Sequence, residues 1–240
     1  MTFDTSTPMN PQGRLAGKTV FITGAGSVGP GWGNGRAMAL RFAQEGASVY
    51  GVDRDAARLV ETSAMIEQIG GSFVAGTCDV TSSASIEQAI SACHERFGRL
   101  DVLVNNVGGS AKGGPIEMSE DVWDAQVDHN LKSVFLTCKH ALPIMLAQGS
   151  GNIINIASTH SSHIIPGCFP YPVAKHGLLG LTRALGIEYA PKGIRVNAIA
   201  PGYIETQLNV DYWNGFPDPH AERQRAFDLH PPKRIGQPVE

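Results

Sequence analysis

Tyr171 and Lys175, in the run YPVAK, stand four residues apart, and Ser158 closes the apolar run NIINIAS thirteen residues before the tyrosine. On a helix, positions i and i+4 share a face, which sets the ammonium beside the phenol. A free tyrosine ionises near pH 10, and bringing it toward 7 takes about 4 kcal/mol of differential stabilisation at 1.36 kcal/mol per unit. Taken alone, the pair is also what an ordinary amphipathic helix displays. Its weight depends on what surrounds it.

A second constellation lies nearer the N-terminus. In TVFITGAGSVGPGWGNGRAMALRFAQEG, starting at Thr19, six glycines fall between Gly24 and Gly35. Glycine suits backbone that takes positive φ or approaches a ligand closely, and a string of them costs conformational entropy that something must offset. The apolar run before the glycines and the helical pattern after them mark a strand-to-helix turn, where backbone N–H groups and a helix N-terminus receive a phosphate. Two glycine registers compete. Gly24, Gly26 and Gly29 satisfy GxGxxG, but that register would start the helix at Gly29, and Pro30, Gly31, Gly33 and Gly35 make a poor helix interior. In the other, Gly24 opens the turn, Gly33-Asn34-Gly35 closes it, and helical periodicity begins around Arg36.

These residues need a scaffold. Short apolar or β-branched runs (TVFIT, ASVYGVD, SFVAGTCDV, DVLVNN, NIINIAS, IRVNAIAPG) alternate with helical patterns near 35–46, 55–69, 83–97, 120–148 and 171–190. The alternation predicts one α/β domain over residues 17–240, a doubly wound parallel sheet of Rossmann type with helices on both faces. Residues 1–16 read as a disordered or loosely docked tail. The 240 residues, 42% hydrophobic, suffice for one sizeable core. Nineteen basic against 22 acidic side chains leave a net charge of −3 with no basic block. That argues against nucleic acid and an anionic membrane surface as partners, and for a small molecule. No apolar run approaches the ~20 residues that span a bilayer, and the N-terminus lacks a signal-peptide core. Four scattered cysteines, Cys78, Cys93, Cys138 and Cys168, suit a reducing cytoplasm. His160 and His163 have no carboxylate or cysteine at ligand spacing, so no metal is expected.

The order of these motifs resembles the short-chain dehydrogenase/reductase family, over nearly the whole chain after the tail. The family's first turn, TGxxxGxG, is matched by Thr23-Gly24 and Gly33-Asn34-Gly35 with five extra residues. Val28 to Trp32 form an insert, and Trp32 either packs over the cofactor or faces solvent. The resemblance implies that Gly24, Ser27, Gly33, Asn34 and Gly35 shape a pyrophosphate site. Asp53, ending the second strand, would accept hydrogen bonds from the adenosine ribose and repel a 2′-phosphate, favouring NAD over NADP; Arg54 and Arg58 are the counter-argument. Asp79 and Val80 of CDV would meet adenine. Asn105 to Gly108, reading NNVG for the usual NNAG, would lie beside the adenosine ribose, and Pro201, Ile204 and Thr206 of PGYIET beside the nicotinamide. Lys175 and the nicotinamide's positive charge would together lower the phenol. Tyr171 is then the general acid/base, Ser158 holds the substrate oxygen, and Lys175 also holds the nicotinamide ribose beside Tyr171. Asn130, in DHNLKSVF, positions a water that extends the proton relay.

The implied function is an oxidoreductase moving hydride between NAD and a secondary alcohol or ketone. The segment after PGYIET would lid the substrate. Its Gln207, Asn209 and Asn214, with Thr159, His160 and His163, suggest a hydrophilic pocket and a small polar substrate: a sugar, polyol or hydroxy acid. The alternative is a non-catalytic dinucleotide-binding module or inactive fragment, motivated by the enlarged loop. The complete set of Ser158, Tyr171, Lys175 and Asn130 argues against it. Family members continue past RIGQPVE with another helix and strand. The chain as written is therefore expected to be C-terminally incomplete, with an exposed sheet edge and weaker assembly than the homo-oligomer, a tetramer, of a complete chain.

Overall fold

The computed structural model describes residues 4–240. They form one parallel sheet from β1 (Thr19–Thr23), β2 (Ser48–Asp53), β3 (Ser72–Thr77), β4 (Val102–Asn105), β5 (Gly151–Ile156) and β6 (Ile194–Ile199), in the order β3-β2-β1-β4-β5-β6. The direction of winding reverses between β1 and β4, and ligands of such sheets sit beyond the carboxyl ends of the strands at that point. The helices are α1 (Asn34–Gln44), α2 (Val60–Gln68), α3 (Ser83–Phe97), α4 (Glu120–Val127), α5 (Ser133–Gln148), α6 (Pro170–Tyr189), α7 (Gln207–Asn214) and α8 (Pro219–Asp228). Among the described residues no helix is long and apolar enough to cross a membrane.

Side-chain alternation along the strands divides the core in two. Val20 and Ile22 of β1 pack with Val49, Leu40 and Ile66 on one side of the sheet. Phe21, between them, joins Leu103, Ile153, Ile90, Leu142 and Leu178 on the other. The layered Rossmann architecture expected from the alternating runs is the one found.

Four details refine the expectation. β3 stops at Thr77, so Asp79 and Val80 lie in the turn after it. There Asp79 Oδ1 accepts from the Thr81 backbone N–H at 2.9 Å, a local bond that competes with strand pairing. Of the two readings of the tail, docking is the one seen in its described residues: Gln44 Nε2 donates to Asp4 O at 3.0 Å, Met9 N–H to Ile69 O at 2.8 Å and Leu15 N–H to Glu45 O at 2.9 Å, and the Met9 and Leu15 side chains pack on the second cluster. Its first three residues lie outside the described part. The long helix at 120–148 is interrupted by a π turn at Asp128–Lys132. The segment after Thr206 folds as α7 and α8, closed around Trp213, Ala226 and Ile235. Thr206 caps α7 by accepting from Asn209 N–H, and Asp218 caps α8 with Pro219 in its first turn.

The glycine turn resolves to the second register, because α1 starts at Asn34 with Gly33 as its N-cap. Gly24 has φ 64°, where other residues are strained. At Gly35, a Cβ would stand 1.8 Å from Gly24 O. Gly35→Ala is therefore expected to push the turn open and weaken dinucleotide binding by at least about tenfold, the cost of roughly one lost charged contact. Calorimetric titration checks it, and unchanged affinity would contradict the assignment of this turn.

Candidate active site

The glycine turn forms one wall of a cleft of about 1130 Å³ at the carboxyl ends of β1, β2 and β4. Gly24, Ser27, Gly33, Asn34 and Gly35 line it, as do Asp53, Asp79, Val80, Gly108 and Thr206. Asn105 does not. Its side chain is buried, accepting from Thr137 Oγ1 at 2.6 Å and donating to Asn155 Oδ1 at 2.9 Å. The neighbouring Asn106 reaches the cleft instead, its amide nitrogen bonded to Gly24 O at 3.0 Å and Thr23 O at 3.2 Å. Successive strand residues point to opposite faces, so a shift of one position exchanges the buried asparagine for the exposed one.

The chemistry of this wall fits a dinucleotide. Ser27 Oγ is buried without a hydrogen-bond partner, and no side chain caps the first N–H groups of α1, so donors stand ready where a pyrophosphate binds. Asp53, half-buried at the end of β2, accepts weakly from Asp55 N–H at 3.3 Å. Arg58 is held by two carboxylates, 3.8 Å from Asp53 and 3.8 Å from Asp55.

The inserted loop is anchored from below. Arg36, 3% exposed, donates to Gly31 O, to Glu61 and to Thr62 Oγ1, and Thr62 Oγ1 bonds Ala25 O at 3.0 Å. Trp32 packs against the second core cluster. At its outer end the loop touches the start of α7: a Cβ on Gly29 would lie 2.8 Å from Gln207 Cγ.

A smaller cavity of about 270 Å³ adjoins the cleft, sharing Asn34, Asn106, Gly108, Gly109, Thr206 and Leu208 with it. Ser158, Tyr171 and Lys175 line it together, and so do Pro201 and Ile204. β5 stops at Ile156, so Ser158 lies two residues beyond the strand and caps a 3-10 turn at Thr159–Ser161, its Oγ accepting from His160 N–H at 3.2 Å. Tyr171 and Lys175 lie on the first turns of α6, which begins at Pro170. Lys175 Nζ donates to Ile156 O at 2.8 Å and stands 5.5 Å from the centroid of the Tyr171 ring.

In the protein alone, burial raises Tyr171 above its usual value, and the neighbouring Ser158 hydroxyl works against that rise. Burial also pulls Lys175 down to about 8, because a charged ammonium is poorly solvated there.

Asn130 sits in the π turn, fully buried. Its Nδ2 donates to Gly109 O at 2.8 Å and Gln126 O at 2.9 Å, while Oδ1 accepts from Gly109 N–H at 3.1 Å. Widened π turns free a main-chain carbonyl, here satisfied by the asparagine amide. Asn130 Oδ1 and Lys175 Nζ converge on Gly108, where a Cβ would meet them at 3.0 and 3.1 Å.

Of the polar residues expected around the substrate, Thr159, His160 and Asn209 line the small cavity, and Gln207 lines the cleft. His163 and Asn214 are exposed and line neither. Sequence reasoning missed Cys168, Tyr203 and Tyr212, which also form the wall. Tyr203 was within the PGYIET motif and could have been found there.

A model of the short chain dehydrogenase family matches residues 18–215. The 3-oxoacyl-acyl-carrier-protein reductase of Thermotoga maritima is 36% identical over 227 residues, 95% of this chain and 88% of that protein. Glucose 1-dehydrogenase 2 of Bacillus subtilis is 37% identical over 229 residues, 94% of this chain and 85% of that protein. A short-chain dehydrogenase/reductase structure from Burkholderia xenovorans superposes with a TM-score of 0.92 at 42% identity, covering 95% of this chain and 87% of that one. Two further solved structures carry dinucleotides. Actinorhodin polyketide ketoreductase holds NADPH (TM-score 0.87, 34% identity, 95% and 88% covered). Carveol dehydrogenase from Mycobacterium avium holds NAD (TM-score 0.87, 29% identity, 95% and 88% covered).

Proposed function

Since the chain belongs to the short chain dehydrogenase family and is thereby an oxidoreductase of CH–OH or keto groups that uses a nicotinamide dinucleotide, we propose that it oxidises or reduces a small polar secondary alcohol or ketone with NAD. The observation that carries this reading is the meeting of two cavities. The large one has phosphate-binding backbone and Asp53 at one end. The small one has Ser158, Tyr171 and Lys175 in its wall, with Lys175 Nζ beside Gly108, which lines both.

When bound, NAD supplies the hydride acceptor and a positive charge beside the phenol. Gly24, Ser27, Gly33, Asn34 and Gly35 would hold its pyrophosphate, Asp53 and Gly108 the adenosine side, and Asp79 and Val80 the base. Pro201, Ile204 and Thr206 would hold the nicotinamide end. Ser158 Oγ positions the substrate oxygen. Tyr171 takes or gives its proton, and Lys175 offers a cation near the phenolate and a donor to the ribose. Asn130, its amide spent on Gly109 and Gln126, keeps one Oδ1 lone pair for a water on the path from Lys175. The reading places the protein in the cytoplasm, where Cys93 and Cys138, pushed up to about 12 by burial, stay reduced and inert. It also places it in a homo-oligomer, for which exposed Phe135 on α5 and Val173 and Ile187 on α6 offer apolar surface.

Cofactor choice is tested at Asp53. A charged acceptor of a ribose hydroxyl hydrogen bond contributes about 1.5–3 kcal/mol. Asp53→Ala is thus expected to weaken NAD about 10- to 100-fold and to relieve the repulsion of NADP, so the ratio of kcat/KM for the two falls steeply. A wild type that prefers NADP, or a ratio indifferent to the substitution, would overturn the NAD reading.

A further inference from the structure

His160 stands in the wall of the small cavity. It is 9% exposed and meets the Tyr171 ring edge to face, centroids 5.7 Å apart. Nδ1 is buried without a partner, which leaves Nε2 as the ring nitrogen open to the cavity. The ring rides on the same 3-10 turn as Ser158, two residues on. Burial holds the imidazole below its usual range, so it is neutral at pH 7. A neutral imidazole carries one proton, and a dry Nδ1 with no acceptor is the worse place for it, because an unpaired buried N–H forfeits its hydrogen bond. The proton therefore sits on Nε2, as a donor aimed into the ligand space.

The rest of the wall limits what that donor meets. It holds no carboxylate and no guanidinium, and its one cation, Lys175, is the group assigned above to the phenolate and the ribose. A second substrate oxygen is therefore met by neutral groups, His160 among them. Because His160 follows Ser158 by two residues and packs on the Tyr171 ring, its donor and the Ser158–Tyr171 pair are met together by a small substrate whose two oxygens stand close, as they do on adjacent carbons. Resting on the reading of this cavity as the substrate site, we propose that His160 Nε2 donates to a second substrate oxygen on the carbon beside the reacting one, selecting neutral vicinal diols and α-hydroxyketones.

Three probes separate the effects: cyclohexane-1,2-diol, cyclohexane-1,4-diol and cyclohexanol, titrated calorimetrically into protein saturated with NADH. Wild type is expected to bind the 1,2-diol about tenfold more tightly than the other two, the value of one neutral hydrogen bond. His160→Leu should lose that advantage without weakening cyclohexanol, and His160→Gln, which keeps an N–H donor, should recover part of it. Melting curves establish that each variant is folded. No preference in wild type, no binding of any probe, a preference that survives His160→Leu, or an equal loss for cyclohexanol overturns the assignment. Turnover of the same probes with NAD is read separately. A His160-dependent preference without turnover sinks the proposed reaction and leaves this assignment standing; turnover without preference does the reverse.

Discussion

Tyr171→Phe leaves about one part in 10³ of wild-type turnover, the middle of the range for loss of a positioned acid or base, while dinucleotide affinity changes by less than about tenfold. The phenol is the one acid in the small cavity that Ser158 supports by a hydrogen bond. Tyr203 and Tyr212 also line that cavity, and burial raises both of them without any compensating bond from the serine. Neither replaces the missing hydroxyl. Phenylalanine keeps the ring that His160 packs against, so the fold and the cavity volume are preserved and the loss is chemical. Steady-state kinetics with calorimetry on the same preparation check it. Turnover within tenfold of wild type would remove Tyr171 from the mechanism.

Lys175→Met has opposite effects on activity and stability. The ammonium is 2% exposed, and burial lowers it from 10.5 to about 8. That shift means the folded protein holds this charge at a cost of about 3 kcal/mol at neutral pH. The sign follows from linkage. Between pH 8 and 10.5 the unfolded chain binds more protons at this site than the folded one does, so stability rises with pH through that window and the cost is fully present below it. Methionine removes the charge and also the hydrogen bond to Ile156 O, about 1 kcal/mol. A net gain of about 2 kcal/mol raises Tm by about 5 °C in a chain of this size. Turnover falls as far as in Tyr171→Phe, because the cation beside the phenolate and the ribose donor are both gone. The Tm gain should shrink as the pH is raised from 7 to 10. A variant that melts lower at pH 7 would show that Lys175 is not a strained charge.

Much of this was legible in the chain. The strand and helix order followed from alternating runs, because buried parallel strands are short apolar segments that helices must cover. Helix spacing sets Tyr171 beside Lys175, whereas Ser158 joins them in the sequence only through the family resemblance, since no local pattern brings the segment after β5 to the start of α6. The glycine register was decided by Pro30 and the glycines after it, which no helix interior tolerates. Other features were hidden for physical reasons. Which of Asn105 and Asn106 faces the cleft depends on where β4 ends, a one-residue matter. The π turn that orients Asn130 has no compositional signature. Tyr171's raised pKa is a consequence of burial, which spacing does not report. α7 and α8 are polar helices with little apolar periodicity, although Asp218-Pro219 is a cap signal that was there to be read.

The contact between Gly29 and Gln207 joins the walls of the two cavities. Gln207 opens α7, whose Leu208, Asn209 and Tyr212 wall the small cavity, while Val28 of the anchored loop lines the large cleft. The inserted loop is thereby a strut as well as a phosphate wall: a side chain placed at Gly29 would press on the helix that shapes the small cavity.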